Sequence, residues 1–316
     1  MTKRRPYRLA LFLVPALLVF VAATCAPPPP PDATDRIVFI SDRTGNPEVW
    51  IMDRSGGNQA QLTNTLDIEG SPKLSPGGSQ IAFERWTSSS FNPRIWVMNA
   101  DGTNQHQVTA ARTPNPDAGV ILRDRLPAWS PDGTKLAFVR EGIFVDTGIL
   151  TMNIDGSDPH VLVASPQPDR IDGFAWSPDG TRFAHSFDYV GQSGSHIIVA
   201  NVDGSGSFEL TAPPPGPPHL PFTPTFDAKP AWSPDSARVA FVGQLTVDGA
   251  AGIWVINADG SNPLQLTQDG GDAPSWSPAG DRIAFARGGS IWTMKPDGAD
   301  QQQLTVGTQP HWAAPK

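Results

Sequence analysis

PAWSPDG at Pro127–Gly133 returns as FAWSPDG at Phe174–Gly180, as PAWSPDS at Pro230–Ser236 and as PSWSPAG at Pro274–Gly280, and PKLSPGG at Pro72–Gly78 is a weaker fifth copy. Ser-Pro-Asp-Gly is turn chemistry: proline presets φ at the second position and glycine accepts a positive φ. An apolar triplet follows each copy: Ile81-Ala82-Phe83, Leu136-Ala137-Phe138, Phe183-Ala184-His185, Val239-Ala240-Phe241 and Ile283-Ala284-Phe285. An alternating segment comes next, at Ile95–Met98, Ile149–Met152, Ile197–Ala200, Ile253–Ile256 and Ile291–Met294. It runs into turns such as Asn99–Gly102, Asn153–Gly156 and Asn257–Gly260, and a last short segment ends in Leu-Thr, as at Leu266-Thr267 and Leu304-Thr305.

Each repeat therefore reads as four strands, A to D, with tight A–B and C–D turns. A period of about 45 residues with four strands per period is the pattern of propeller blades. The two ends of the chain complete the count. Asp35 to Thr63 carries B (Ile37-Val38-Phe39), C (Val49–Met52) and D (Gln61–Thr63) but no A, while Gln309–Pro315 is an A strand with nothing after it. The expected fold is all-β, a six-bladed β-propeller with four antiparallel strands per blade. Its ring is closed by the C-terminal strand joining the first blade. Nine of the ten tryptophans fall on strands A (Trp129, Trp176, Trp232, Trp276, Trp312) or C (Trp50, Trp96, Trp254, Trp292). Recurrence at equivalent places points to packing between blades, where each buried ring contributes a few kcal/mol.

These motifs resemble the TolB-type, WD-repeat-like propeller family, whose repeat carries P-x-W-S-P-D-G and a following apolar strand. The resemblance covers Asp35 to Lys316. It implies a propeller without the separate α/β domain that precedes the propeller in TolB itself. It further implies, by analogy, an envelope role of the Tol–Pal kind, with a peptidoglycan-associated lipoprotein as partner. A shared fold does not by itself carry function.

The N-terminus reads differently. Lys3, Arg4, Arg5 and Arg8 precede an apolar stretch from Leu9 to Ala23, which is the layout of a secretory signal over residues 1–24. Cys25, the only cysteine, directly follows and is expected to be lipidated, although Ala22 and Thr24 depart from the usual lipobox residues. Residues 25–34 contain five consecutive prolines and read as a stiff spacer; 35–316 are the propeller. The expected location is thus exported and membrane-anchored, facing periplasm or exterior, with the lipid as the only membrane contact. With no second cysteine, no disulfide staples the fold. The net charge is −8; without the four signal cations, 19 basic residues face 31 acidic ones, a net −12. Such a chain lacks the basic footprint of a nucleic-acid binder.

Strand order places the A–B and C–D turns on one face, and the longer, variable B–C and D–A connections on the other. Binding is expected on the variable face. Entering strand A there, a carboxylate stands four or five residues before the Trp or Leu: Glu69, Asp124, Asp172, Asp227 and Asp272, with Thr308 in the sixth place. A ring of such groups at a channel mouth would draw in a cation or a basic peptide; equally, each would satisfy its own turn. Trp86, off the repeat pattern in a B–C connection, is a candidate aromatic anchor. His185 stands where the other blades have Phe, and with His196 and His219 it forms a weak candidate metal group whose spacing follows no ligand pattern. The Asn-x-Asp-Gly turns lack the acidic spacing of calcium loops. No G-x-S-x-G nucleophile motif occurs.

The expected function is a non-catalytic recognition module at the cell envelope, monomeric and without cofactor, binding a protein or peptide, an envelope lipoprotein or a glycan. Two other readings stay open: a metal-dependent hydrolase or lyase acting on acidic sugars at the propeller mouth, and a surface scaffold or adhesin.

Overall fold

The computed structural model describes residues 35–87, 89, 91–109, 122–142, 147–165, 171–188, 195–211, 226–244 and 251–313. Cys25, the signal, the spacer and His219 lie outside them. Blade one contains β1 (Arg36–Ser41), β2 (Glu48–Asp53) and β3 (Ala60–Gln61). Blade two is β4 (Ile68–Leu74), β5 (Gln80–Trp86), β6 (Arg94–Asn99) and β7 (His106–Gln107). Blade three is β8 (Leu122–Trp129), β9 (Lys135–Gly142), β10 (Gly148–Asn153) and β11 (His160–Ala164). Blade four is β12 (Phe174–Trp176), β13 (Arg182–Asp188), β14 (Ser195–Asn201) and β15 (Phe208–Glu209). Blade five is β16 (Phe226–Trp232), β17 (Arg238–Gln244), β18 (Gly252–Asn257) and β19 (Leu264–Gln265). Blade six is β20 (Asp272–Trp276), β21 (Ile283–Arg287), β22 (Ser290–Met294) and β23 (Gln302–Val306).

The last strand, β24 (Thr308–Trp312), pairs antiparallel with β1, setting Ile37 opposite Trp312 and Val38 opposite His311. The fold is thus a six-bladed β-propeller of four-stranded antiparallel blades, closed by its C-terminal strand as the broken first repeat requires.

The core is divided in six, one apolar cluster between each pair of neighbouring blades. The seam is no exception: Ile37, Phe39, Met52 and Trp312 of blade one pack on Ala284, Ala286 and Ile291 of blade six. Tryptophans of the A strands sit between blades, and two reach across with their indole N–H: Trp129 to Lys73 O (2.9 Å) and Trp232 to Ala175 O (3.2 Å). The C-strand rings differ. Trp50, Trp96 and Trp292 are half-buried, each under an arginine guanidinium (Arg43, Arg85 and Arg287) at 4.5, 4.5 and 4.2 Å from the ring centre. Such stacking adds a cation–π term to the apolar one.

Periodicity alone does not show the bulge in strand A. Pairing with strand B shifts register in blades two, three, five and six and in β24. The residue at the shift has a positive φ each time: Ser71 (49°), Leu126 (55°), Lys229 (53°), Ala273 (49°) and Gln309 (52°). A proline follows all five. A left-handed non-glycine residue costs on the order of 1–2 kcal/mol, so the five together are a substantial strain held by the ring. The bulge leaves an extra residue unpaired and redirects the strand at the propeller axis.

The turns repeat closely. Ser130 Oγ donates to Asp132 Oδ1 (2.6 Å) and receives the Lys135 N–H (2.9 Å); Ser177, Asp179 and Arg182 repeat this in blade four, and Ser233, Asp235 and Arg238 in blade five. In the C–D turns Asp101, Asp155, Asp203 and Asp259 each accept the N–H two residues on, at 2.9 Å. The turn face consumes its polar side chains internally. Among the described residues no helix is long and apolar enough to cross a membrane.

Candidate functional site

The five carboxylates on strand A fall into two sets. Glu69, Asp124 and Asp227, five residues before the strand-end Leu or Trp, are buried at 1%, 1% and 4% exposure. Asp172 and Asp272, four residues before it, keep side chains about half exposed, at 45% and 47%. Successive residues of a strand face opposite ways, so one residue of offset decides which set faces inward.

The buried set meets strand B. Asp124 lies opposite Arg140 and takes both of its guanidinium donors, Nε at 2.6 Å and Nη2 at 3.0 Å. Glu69 lies opposite Arg85 and accepts its Nε at 2.7 Å. Burial still pushes Glu69 up to about 7 against the pull of Arg85, and the neighbouring Glu48 adds to the rise. The Oε2 atoms of Glu48 and Glu69 are both buried without a donor among the described residues. Asp227 lies opposite Gly243, and no ion pair holds it among the described residues. Burial raises it to about 7, opposed only by the Thr211 hydroxyl. In the exposed set, Lys229 holds Asp272 through both oxygens (2.6 and 2.8 Å), and Arg125 stands 3.9 Å from Asp172. Thr308 is exposed at the start of β24. The structure therefore pairs most of these groups inside the protein and does not gather them into one ring.

Trp86 is the last residue of β5 rather than part of a free loop, and is half-buried. Its ring lies over Gly70, where a Cβ would come 3.2 Å from Cη2 and push the ring aside by a few tenths of an ångström. Two large apolar side chains in the connections of the same blade are far more exposed. Leu66 (96%) lies in the D–A connection entering blade two, and Phe91 (70%) in the B–C connection of the same blade.

His185 is buried, stacked on Phe183 (centroids 5.9 Å apart) and edge-on to Phe187, with Nδ1 3.2 Å from Ser186 O. Burial lowers its pKa, as suits a neutral ring in an aromatic stack. His196 is buried opposite Phe187. Among the described residues, no three His, Cys, Asp or Glu side chains are grouped as metal ligands.

A cavity of about 210 Å³ lies on the axis, lined by A-strand residues of all six blades and by turn prolines such as Pro76 and Pro131. Of the five strand-A carboxylates it contains only Asp172, and Trp86 is not in its wall. Lys73, Lys229, Gln309 and His311 do line it. Burial, helped by the charge of Lys229 and opposed by Glu84, brings Lys73 down to about 8. His311 is held well below its ordinary value by burial and by Lys73. Glu84, raised by burial, accepts the Leu126 N–H of the next blade at 2.8 Å. Sequence reading missed this site because no single repeat contains it. The arginines that neutralise the buried carboxylates did leave a signal: Phe-x-Arg at Phe83–Arg85 and Phe138–Arg140.

No family model matches the chain. Among curated relatives, a TolB homolog of Chlorobium luteolum is 31% identical over 151 residues, 47% of this chain and 30% of that one. A TolB homolog of Chlorobaculum tepidum is 47% identical over 53 residues, 17% of this chain and 12% of that one. The matches thus span less than a third of these relatives' length. Among solved structures, TolB from Acinetobacter baumannii superposes with a TM-score of 0.68 at 20% identity, covering 91% of this chain and 68% of that one. A chain of a nidogen/laminin complex gives 0.64 at 12% identity, covering 87% and 97%. An oligogalacturonate lyase in complex with manganese gives 0.57 at 12% identity, covering 87% and 75%. The identities to solved structures are low enough that they carry the fold alone. Fold and local sequence likeness agree on a TolB-type β-propeller.

Proposed function

We propose that this TolB-type β-propeller is a non-catalytic recognition module, exported and lipid-anchored through Cys25, that docks a protein or peptide partner on the face formed by its B–C and D–A connections. The observation that carries the reading is the pair Leu66 and Phe91. They are the two most exposed large apolar side chains among the described residues, and both sit in blade-two connections of that face. Apolar side chains held in water by loops on a rigid scaffold are poised for burial against a partner. Trp86, half-buried at the end of β5, is a further apolar side chain of the same blade. The other face supports the reading by contrast, since its turn carboxylates already accept hydrogen bonds from their own turns.

The test is a photo-crosslinking residue placed at position 66 or 91 of the full chain in its host, with positions 103 and 157 of the turn face as controls. A discrete adduct from 66 and 91, absent from 103 and 157, is the expected result. Adducts from the turn face alone would overturn the docking face. Diacylation of Cys25 is read by mass spectrometry of the membrane fraction, and soluble protein with a free Cys25 would remove the anchor. Stoichiometric metal in the purified chain would instead favour the hydrolase or lyase reading.

A further inference from the structure

The walls of the axial cavity hold donors that find no acceptor among the described residues. Gln309 Oε1 accepts the Ser71 N–H at 2.7 Å, which fixes the amide so that its NH₂ is the free end. His311 Nδ1 accepts the Leu74 N–H at 3.2 Å. A neutral imidazole carries one proton, so in His311 it must reside on Nε2, for which no acceptor stands among the described residues. The Lys73 ammonium has neither an ion-pair nor a hydrogen-bond partner among the described residues; the Trp129 indole N–H is accepted by the Lys73 backbone carbonyl. Lys73, Gln309 and His311 come from the adjoining A strands β4 and β24 and line one cavity.

The charges around them are accounted for. Lys229 is bound by Asp272, Asp172 faces Arg125, and Glu84 accepts the Leu126 N–H. Among the described residues the cavity therefore presents one unpaired cation and two neutral donors, and the one carboxylate in its wall, Asp172, is half-exposed and stands 3.9 Å from Arg125. Lys73 is half-buried, and a charge held partly out of water without a partner is costly; a water cluster would meet the donors but not the charge. Two of the strained bulge residues, Ser71 and Gln309, are hydrogen-bonded to each other at this point. Strain of that kind collects where a particular geometry is needed.

We propose that the axial cavity is a carboxylate-binding site, with Lys73 Nζ, His311 Nε2 and the Gln309 amide nitrogen as its donors. A carboxylate brings one negative charge and two oxygens, which suits one cation and two further donors. A phosphate dianion would leave a charge unmatched. The rest of the wall is proline and tryptophan, which suits a short carbon chain behind the carboxylate. A volume of about 210 Å³ holds roughly seven waters' worth of liquid, enough for a short acid or for the end of an acidic side chain.

Five tryptophans line the cavity, so intrinsic fluorescence of the full chain reports occupancy. Propionate is titrated against propionamide of the same shape, inorganic phosphate, and a capped tripeptide with a central glutamate. Saturable binding of propionate with a dissociation constant on the order of 1 mM is expected, with propionamide and phosphate at least about tenfold weaker. Binding of propionate without the peptide identifies a free acid as the source; binding of the peptide without propionate identifies a protein side chain. Lys73→Met should weaken the carboxylate about tenfold or more, and Lys73→Arg should restore most of it. Failure of both carboxylates to saturate, equal binding of propionamide or phosphate, or an unaltered affinity in a folded Lys73→Met chain would each overturn the site. The wild-type comparison of the two carboxylates with propionamide and phosphate decides the matter even if Lys73→Met does not fold.

Discussion

Asp124 and Asp227 occupy the same place in blades three and five, five residues before the strand-end tryptophan, and their environments are opposite. Asp124 faces Arg140 and is held by two charge-assisted hydrogen bonds. Asp227 faces Gly243, where even a Cβ would sit 3.0 Å from its Oδ1 and 2.9 Å from the rings of Phe241 and Trp254. One blade buries an ion pair; the other buries a carboxyl that burial drives toward its protonated form. The repeat thus retains the acid while the sequence around it decides whether the acid is charged. Such a position belongs to the scaffold, and this turns attention to the loops above it for recognition.

Asparagine at these two positions should act with opposite signs. In blade three, Asp124→Asn strands the Arg140 charge, and Arg140→Met strands the carboxylate; breaking a buried pair from one side costs about 3–5 kcal/mol. The nearby Arg94, whose pKa is influenced by Asp124, places Arg140→Met at the lower end. Denaturant unfolding at neutral pH measures both. In blade five the folded pKa of about 7 stands above the ordinary 3.8. The folded state therefore binds the extra proton between those values, and stability is greatest below the lower one. It declines as pH rises toward 7. Asp227→Asn should remove that decline and stabilise the chain at pH 8, by roughly 2 kcal/mol after relaxation is allowed for. A loss at pH 8 would show that Asp227 has a cationic partner in solution. The smallest effect belongs to the half-exposed pair: Asp272→Asn, removing the partner of Lys229, should change stability by less than about 1 kcal/mol. A larger loss would mean that Lys229 and Asp272 support the neighbouring bulges at Lys229 and Ala273.

The fold was legible because its signals are local and repeated. Each Ser-Pro-Asp-Gly turn, apolar triplet and Asn-x-Asp-Gly turn can be read without knowing what lies opposite, and the missing A strand of Asp35–Thr63 matched the surplus one at Gln309–Pro315. The site was less legible. Whether Glu69 or Asp272 faces the core depends on a single residue of register, set by a bulge whose left-handed residues include Leu126 and Ala273, side chains with no particular preference for that conformation. Gln309, His311 and Lys73 meet only because the two ends of the chain join in neighbouring blades. Trp86 was visible as a tryptophan out of pattern, but its seat on Gly70 depends on the pairing of Ile68 with Trp86.

On the proposed reading the two faces of the disc differ, one with turn carboxylates bonded within their own turns and the other presenting Leu66 and Phe91 for docking. Hydrogen exchange of the full chain with and without its crosslink-identified partner tests it most directly. Protection is expected in the blade-two connections, around residues 64–67 and 87–93, with the turns at 99–103 and 130–135 unchanged. Protection confined to those turns, with 64–67 and 87–93 exchanging as in the free protein, would contradict it.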